Sequence, residues 1–314
     1  MERIAGGSHV DSDSSPDAGS DSSSSSIKGR GSIARGERVG SCEVLHQLGE
    51  GHTGEVYLVD CAARGRATPA ALKWPVELGE WSAWQAIQRG AAGCPGLPQI
   101  LESGVYRGKC YAVTELLGKD LLGLMPYLHR GVPRQQRWRA VRVLGRMLLR
   151  RLEAVHDCGY VHCDVSPYNV LLGCSGGNRP GVPGPVPVPY LIDFGLARPH
   201  PGPPLGPEHG TMEFLSARAA AGGPRLPEDD LEALGWVMVF MLQGDLPWLY
   251  WEREMEADLA GRRSVTAATE QQLHSALVER VRQAKCEVLC GRKLDLPPEL
   301  DAFLQACSWA EAAP

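Results

Sequence analysis

The stretch YVHCDVSPYNVLL, residues 160–172, holds a histidine, an aspartate two positions on and an asparagine five beyond that: His162, Asp164 and Asn169. An aspartate so placed can accept a proton from a hydroxyl nucleophile. Asn169, with Asp193 of LIDFGLA (191–197), offers the hard oxygen ligands that Mg2+ takes. Towards the N-terminus, LGEGHTGEVYL (48–58) sets Gly49, Gly51 and Gly54 in GxGxxG spacing, followed by Val56. The spacing alone is weak, because dinucleotide-binding folds use the same letters with the third glycine opening a helix. Here β-branched and aromatic residues run straight on, which reads as a hairpin whose amides can approach phosphates unobstructed. Seventeen residues after Val56, AALK (70–73) ends at Lys73. A lysine closing an apolar strand is ordinarily a snorkelling edge residue. Behind a Gly-rich hairpin at this distance, it reads instead as an ammonium facing the α- and β-phosphates of a nucleotide. The order of the four elements carries more weight than any one of them.

Composition agrees by exclusion. The 314 residues are 43% hydrophobic with formal net charge −5, enough apolar material for one large domain or two medium ones. No positive field draws the chain to nucleic acid or anionic membrane. No apolar run approaches the ~20 residues of a bilayer span, and the N-terminus lacks the apolar core of a secretory signal. A cytoplasmic or nuclear monomer, not secreted, is expected. The ten cysteines are scattered singly, and most are expected to be reduced, small hydrophobes. Cys286 and Cys290, the closest pair, lack a second Cys/His pair to complete a zinc site.

Residues 1–36 read as a disordered tail. From Ser8 to Ser26 the chain is almost wholly Ser, Asp, Gly, Ala and Pro, and cannot bury enough surface to offset the entropy of ordering it. VLHQL (44–48), EVYLVD (55–60), PAALKW (69–74) and CYAVTELL (110–117) read as strands. Trp138, Val141, Leu144, Leu148, Leu152 and Val155 recur at spacings of three and four, an amphipathic helix ending near His156. Residues 225–242, 268–290 and 297–307 also read as helical. Gly176 to Pro189 is too rich in Gly and Pro for regular structure and reads as an inserted loop near 175–189. Strands first and helices after predict an α+β fold in two lobes.

These residues resemble a eukaryotic-type protein kinase, and the later ones resemble the casein kinase 1 group. ELLG (115–118) is similar to that group's hinge and GTMEFLS (210–216) to its substrate-facing segment. DDLEALGWVMVFMLQGDLPW (229–248) is similar to its central helix and following loop, and CEVLC (286–290) with LPPELDAFLQAC (296–307) to the end of its domain. The resemblance covers about residues 40–307. It implies an N-lobe and hinge over 37–117, a C-lobe over 118–314, and transfer of the ATP γ-phosphoryl to a protein hydroxyl with Mg2+. Val56 and Ala71 would cover adenine from above and Leu171 from below. Thr114 would be the gatekeeper, with Glu115 to Leu117 offering backbone hydrogen bonds. Gly49, Gly51, Gly54 and Lys73 would hold phosphates, Asp164 would be the base, and Asn169 and Asp193 the magnesium ligands. Asp230 would tie the catalytic loop to the long helix.

Several positions depart from the pattern. Cys163 stands where many kinases carry an arginine that receives an activation-segment phosphate, and the segment LARPHPGPPLGPEHG (196–210) contains no Ser, Thr or Tyr. The two absences agree on activity without phosphorylation of that segment. Ser166 stands where Ser/Thr kinases usually place a lysine, with Arg198 as a candidate substitute charge. The partner expected for Lys73 by spacing falls near Trp84, and Glu80 is preferred to Glu77 because Trp84 and Ile87 follow it on one helix face. Arg218 replaces a glutamate common in kinases, and the terminal helix of the C-lobe reads as shortened. A nucleotide-binding scaffold without transfer activity is the main alternative function, and a small-molecule phosphotransferase the lesser one.

Overall fold

The computed structural model describes residues 31–51, 53–63, 66–175, 186–261, 266–292 and 294–307. The tail reading therefore falls outside the described residues up to residue 30, and the loop reading from 176 to 185. Strands β1 (Arg38–Val39), β2 (Cys42–Gly51), β3 (Gly54–Ala63), β4 (Arg66–Val76), β5 (Ile100–Tyr106) and β6 (Lys109–Glu115) form one antiparallel sheet of order β1-β2-β3-β4-β6-β5. β2, β3 and β4 contain the strands expected over 44–48, 55–60 and 69–74, and β6 ends at Glu115, two residues short of the strand expected over 110–117. β5 escaped the alternation rule because its apolar residues Leu101 and Val105 face solvent. Register sets the centre of the sheet: Val56 opposes Lys73, and Ala71 opposes Thr114, so the four lie together there.

The same register sets Cys42 against Cys61 across β2 and β3, and the two form a disulfide with their Cα atoms 4.1 Å apart. The expectation of reduced cysteines fails for this pair. Cys94, Cys110, Cys158, Cys163, Cys286, Cys290 and Cys307 are free thiols. Strand pairing, invisible in the spacing of the cysteines, is what joins the pair.

Helix α1 (Leu78–Gly90) buries Glu80, Ala83, Trp84 and Ile87, one face at helical spacing. After the sheet the chain is mainly helical: α2 (Met125–His129), α3 (Arg134–Asp157), α4 (Ala217–Ala220), α5 (Pro227–Gln243), α6 (Leu249–Gly261), α7 (Ala267–Leu289) and α8 (Pro298–Cys307). α5 is the axis of this part. Its residues Ala233 to Leu242 are all buried, and Trp236 meets Trp248 edge-on at 5.1 Å. Proline at its first turn and left-handed Gly244 (φ 89°) at its end delimit it. α3 crosses α5 at Gly145, where a Cβ would lie 2.5 Å from the Met238 sulfur. Leu148, Leu152 and Val155 continue the contact face, each worth about 1.5–3 kcal/mol when withdrawn from water. Arg137 donates to the Leu242 carbonyl at 3.0 Å and ties the start of α3 to the end of α5.

Six short strands edge the helical part: β7 (Tyr160–Val161), β8 (Val170–Ser175), β9 (Val186–Leu191), β10 (Arg198–Pro199), β11 (Pro204–Leu205) and β12 (Gly223–Pro224). β8 pairs with β9, β7 with β10 and β11 with β12. The loop reading therefore overran: residues 186–189 are strand, with Pro187 opposite Cys174 and Pro189 opposite Leu172. Prolines at alternate positions leave one side of a strand free to pair, and in a two-stranded ladder the other side needs no donor. Among the described residues no helix is long and apolar enough to cross a membrane.

Candidate active site

Between the sheet and the helices runs a cleft of about 500 Å³. Gly49, Gly51, Gly54, Val56, Ala71, Lys73, Thr114, Glu115, Leu117, Asn169, Leu171 and Asp193 all line it, so residues from five separate stretches converge. Asp164 stands beside it, joined through Asn169. Gly54 holds φ +141°, and a Cβ there would lie 2.6 Å from the Pro75 carbonyl, so the hairpin can lie against β4 only with glycine at this point.

At the polar end of the cleft, Lys73 Nζ lies 2.6 Å from Glu80 Oε1 and 2.8 Å from Asp193 Oδ1. Glu80 is thus the carboxylate beside Lys73. Trp84, where spacing had pointed, packs instead on Phe194, with ring centres 6.2 Å apart. Thr53, at the hairpin tip, accepts from Lys73 at 2.8 Å and donates to Asp193 at 3.2 Å, closing the loop over the charged pair. Burial pushes the Glu80 carboxyl up to about 7, against the pull of Lys73. Burial also works against Asp193, but the Lys73 ammonium and the Gly195 amide outweigh it and hold that carboxyl below its usual range. For Lys73 the two carboxylates outweigh burial and hold the ammonium form.

The catalytic-loop candidates are held as rigidly. Asp164 Oδ1 accepts from the Thr211 amide at 2.8 Å and the Thr211 hydroxyl at 2.7 Å, and its Oδ2 accepts from Asn169 Nδ2 at 2.7 Å. His162 Nε2 donates to the Ile192 carbonyl at 3.0 Å, and its Nδ1 accepts from the Asp164 amide at 3.3 Å, linking this loop to the strand before Asp193. Asp230, near the start of α5, accepts from the amides of His162 (2.8 Å) and Cys163 (2.9 Å) and from His156 Nε2 (2.8 Å). Cys163 is buried with left-handed backbone (φ 68°), and burial followed by the charge of Asp230 pushes its thiol well up, so it is a packed and unreactive group.

Two departures resolve differently. Ser166 is fully buried and its hydroxyl has no hydrogen-bond partner among the described residues, so it presents nothing to the cleft. Arg198 does not replace the missing lysine: it sits in β10 with Nη1 on the Ala197 carbonyl, and Lys73 is the one basic side chain among the described residues lining the cleft. Sequence reading missed three further anchors. Thr53 was passed over among the glycines. Glu232 accepts from the Ala217 amide (2.8 Å) and Trp236 Nε1 (3.0 Å), and fully buried Lys285 donates to the carbonyls of Met212 (2.9 Å) and Leu215 (2.6 Å). An apolar helical pattern containing a Glu or Lys is the only sequence trace these leave.

Asn169 and Asp193 fit a magnesium ion. Asn169 spends its amide hydrogens on the carbonyl and Oδ2 of Asp164, which leaves its side-chain oxygen as a ligand, and Asp193 adds a carboxylate held ionised. Mg2+ takes one or two protein oxygens and completes its shell with phosphate and water. A pair therefore suffices, and no larger His/Cys/Asp/Glu cluster occurs among the described residues.

A charged pair under a glycine hairpin, facing an aspartate clamped in a loop, is the architecture of a phosphoryl-transfer site. Over residues 42–308 the chain matches the protein kinase domain, and it belongs to that family.

Proposed function

We propose that this chain is a protein serine/threonine kinase of the casein kinase 1 group, in two lobes, transferring the γ-phosphoryl of ATP to a protein hydroxyl. The observation that carries the reading is the junction of Lys73 with both Glu80 and Asp193 in the cleft that Asn169 also lines. Asn169 and Asp193 would hold Mg2+, which when bound neutralises phosphate charge. Val56, Ala71 and Leu171 bracket the adenine, with Thr114 at its rear and Glu115 to Leu117 along its polar edge. The Gly49–Gly54 hairpin and Lys73 hold the phosphates.

The lone pairs of Asp164 choose the atom that takes the proton. Oδ1 already accepts two hydrogen bonds from Thr211, whereas Oδ2 accepts one side-chain bond from Asn169 and keeps a lone pair. Oδ2 receives the proton as the acceptor oxygen bonds to the γ-phosphorus. The bond from that phosphorus to the β–γ bridging oxygen breaks, and ADP leaves with the electron pair. Positioning and charge stabilisation account for most of the acceleration. The segment 196–210 carries no hydroxyl to phosphorylate, so activity is independent of that modification.

Phosphate transfer from ATP to casein-type protein substrates, measured beside Lys73→Met and Asp164→Asn, tests the reading. Transfer by the wild type, its loss in both variants, and a Mg2+-nucleotide thermal shift retained in Asp164→Asn are expected. The buried, unpartnered Ser166 favours a second reading, a nucleotide-binding scaffold. A thermal shift with no transfer by the wild type selects it, and faster turnover of small hydroxyl compounds than of any protein selects a small-molecule phosphotransferase.

A further inference from the structure

The segment between Asp193 and Thr211 is tied down at several points without a phosphate. β10 pairs with β7, β11 pairs with β12, and Leu205 packs with Val161 and Cys163. The side chain of Arg225, next in sequence to β12, reaches beneath the segment. Its Nη2 donates to the carbonyls of Gly206 at 3.0 Å and His209 at 3.1 Å. His209 is two residues before Thr211, the residue that fills Asp164 Oδ1. Between them Gly210 (φ +105°) passes so close to the catalytic loop that a Cβ would lie 3.0 Å from the Cys163 carbonyl. Arg225, Cys163, Asp164 and Thr211 line one small cavity below this crossing.

Stability is a poor reason for an arginine here. Arg225 is 3% exposed, yet its Nε and Nη1 have no hydrogen-bond partner among the described residues. Burying a cation with only part of its hydrogen-bonding capacity used costs free energy, and an apolar side chain of similar size is often neutral or better. What the guanidinium does accomplish is to fix two carbonyls of one segment at once.

We propose that Arg225 is the positioning residue of the activation segment: it holds Gly206 and His209 from inside the fold, and so sets Thr211 against Asp164. The proposal rests on the kinase reading, because its output is the orientation of the base. It assigns the role that an external phosphate would otherwise play to a side chain at the foot of α5. Cys163 contributes a small side chain that leaves room for the guanidinium.

The test compares the full chain with Arg225→Met and Arg225→Lys in three measurements: phosphate transfer, Mg2+-nucleotide thermal shift, and amide hydrogen exchange over residues 205–211. Arg225→Met is expected to lose about ten- to a hundredfold in kcat. Its KM for ATP and nucleotide shift should stay unchanged, its Tm equal or higher, and its segment exchange about tenfold faster or more. Arg225→Lys, which can still donate to a carbonyl, should recover part of kcat. Wild-type kcat or wild-type exchange in Arg225→Met overturns the proposal. So does a loss of kcat accompanied by proportionate losses of Tm and nucleotide shift, the mark of a general packing role. Should the wild type transfer no phosphate, the kinase reading fails by itself. Exchange then decides for Arg225 alone: faster exchange sustains the clamp, and equal exchange ends it.

Discussion

Thr211 commits both its amide and its hydroxyl to a single oxygen of Asp164, at 2.8 and 2.7 Å. The segment 210–216 and the candidate base are therefore one rigid assembly, and the geometry of one cannot change without the other. Two bonds on Oδ1, against one side-chain bond on Oδ2, leave Oδ2 the less committed oxygen.

Removing the Thr211 hydroxyl should thus be felt in chemistry before binding. A hydrogen bond to a charged group is worth about 1.5–3 kcal/mol, so Thr211→Val is expected to lose roughly ten- to a hundredfold in kcat. Its nucleotide affinity should stay at the wild-type value, and Thr211→Ser should regain most of the rate. Steady-state phosphate transfer with varied ATP separates the two parameters.

The buried Ser166 hydroxyl has no hydrogen-bond partner among the described residues, so it contributes nothing that alanine would lose. Ser166→Ala is expected to leave kcat within about twofold and stability within about 0.5 kcal/mol of wild type. A tenfold drop in transfer rate would show that the hydroxyl works in the reaction after all.

Asp230 accepts three hydrogen bonds, two from amides of the loop before Asp164. Asp230→Ala strands both buried amides, each costing about 1–3 kcal/mol. Thermal unfolding should show Tm lower by roughly 5–10 °C, and activity should fall with it even at temperatures where the variant is folded.

Lys285 makes stability depend on pH. Burial pulls its ammonium down from 10.5 to about 7, against the opposing charges of Glu232 on α5 and Glu213, two residues after Thr211. Between those values the unfolded chain binds the extra proton and the folded chain does not, so stability rises with pH across that window. The gain is complete above 10.5 and is lost as pH falls to about 7. Unfolding followed from about pH 6.5 to 10 should show that rise, and Lys285→Met should flatten it. An identical slope in the variant would assign the pH dependence elsewhere.

The site was legible in the sequence because its parts are short and their spacing is set locally. A glycine hairpin, a strand ending in lysine, and an aspartate and asparagine five apart each carry a backbone signature. Glu80 was only preferred to Glu77, because Trp84 and Ile87 repeat its helix face, and that spacing does not decide which of the two meets Lys73. The disulfide between Cys42 and Cys61 was not legible, because it depends on which residues oppose each other across two strands. Prolines 187 and 189 misled for the same reason: they forbid a central strand but not one with a free side. The exposed apolar face of β5 broke the usual inside–outside rule, and no local signal could have restored it.

Residue chemistry and local periodicity, both properties of the chain alone, determined that this protein has an α+β fold with a glycine hairpin, a strand lysine and an aspartate five residues before an asparagine. Only the tertiary structure decided which carboxylate meets Lys73, which oxygen of Asp164 stays open, and that Arg225 and Lys285 hold carbonyls of the segment after Asp193. Those contacts join residues up to 120 positions apart. The bonds of Arg225 and Lys285 end on backbone carbonyls, which every residue carries alike, so those pairings follow from how distant segments pack and from no local pattern of letters.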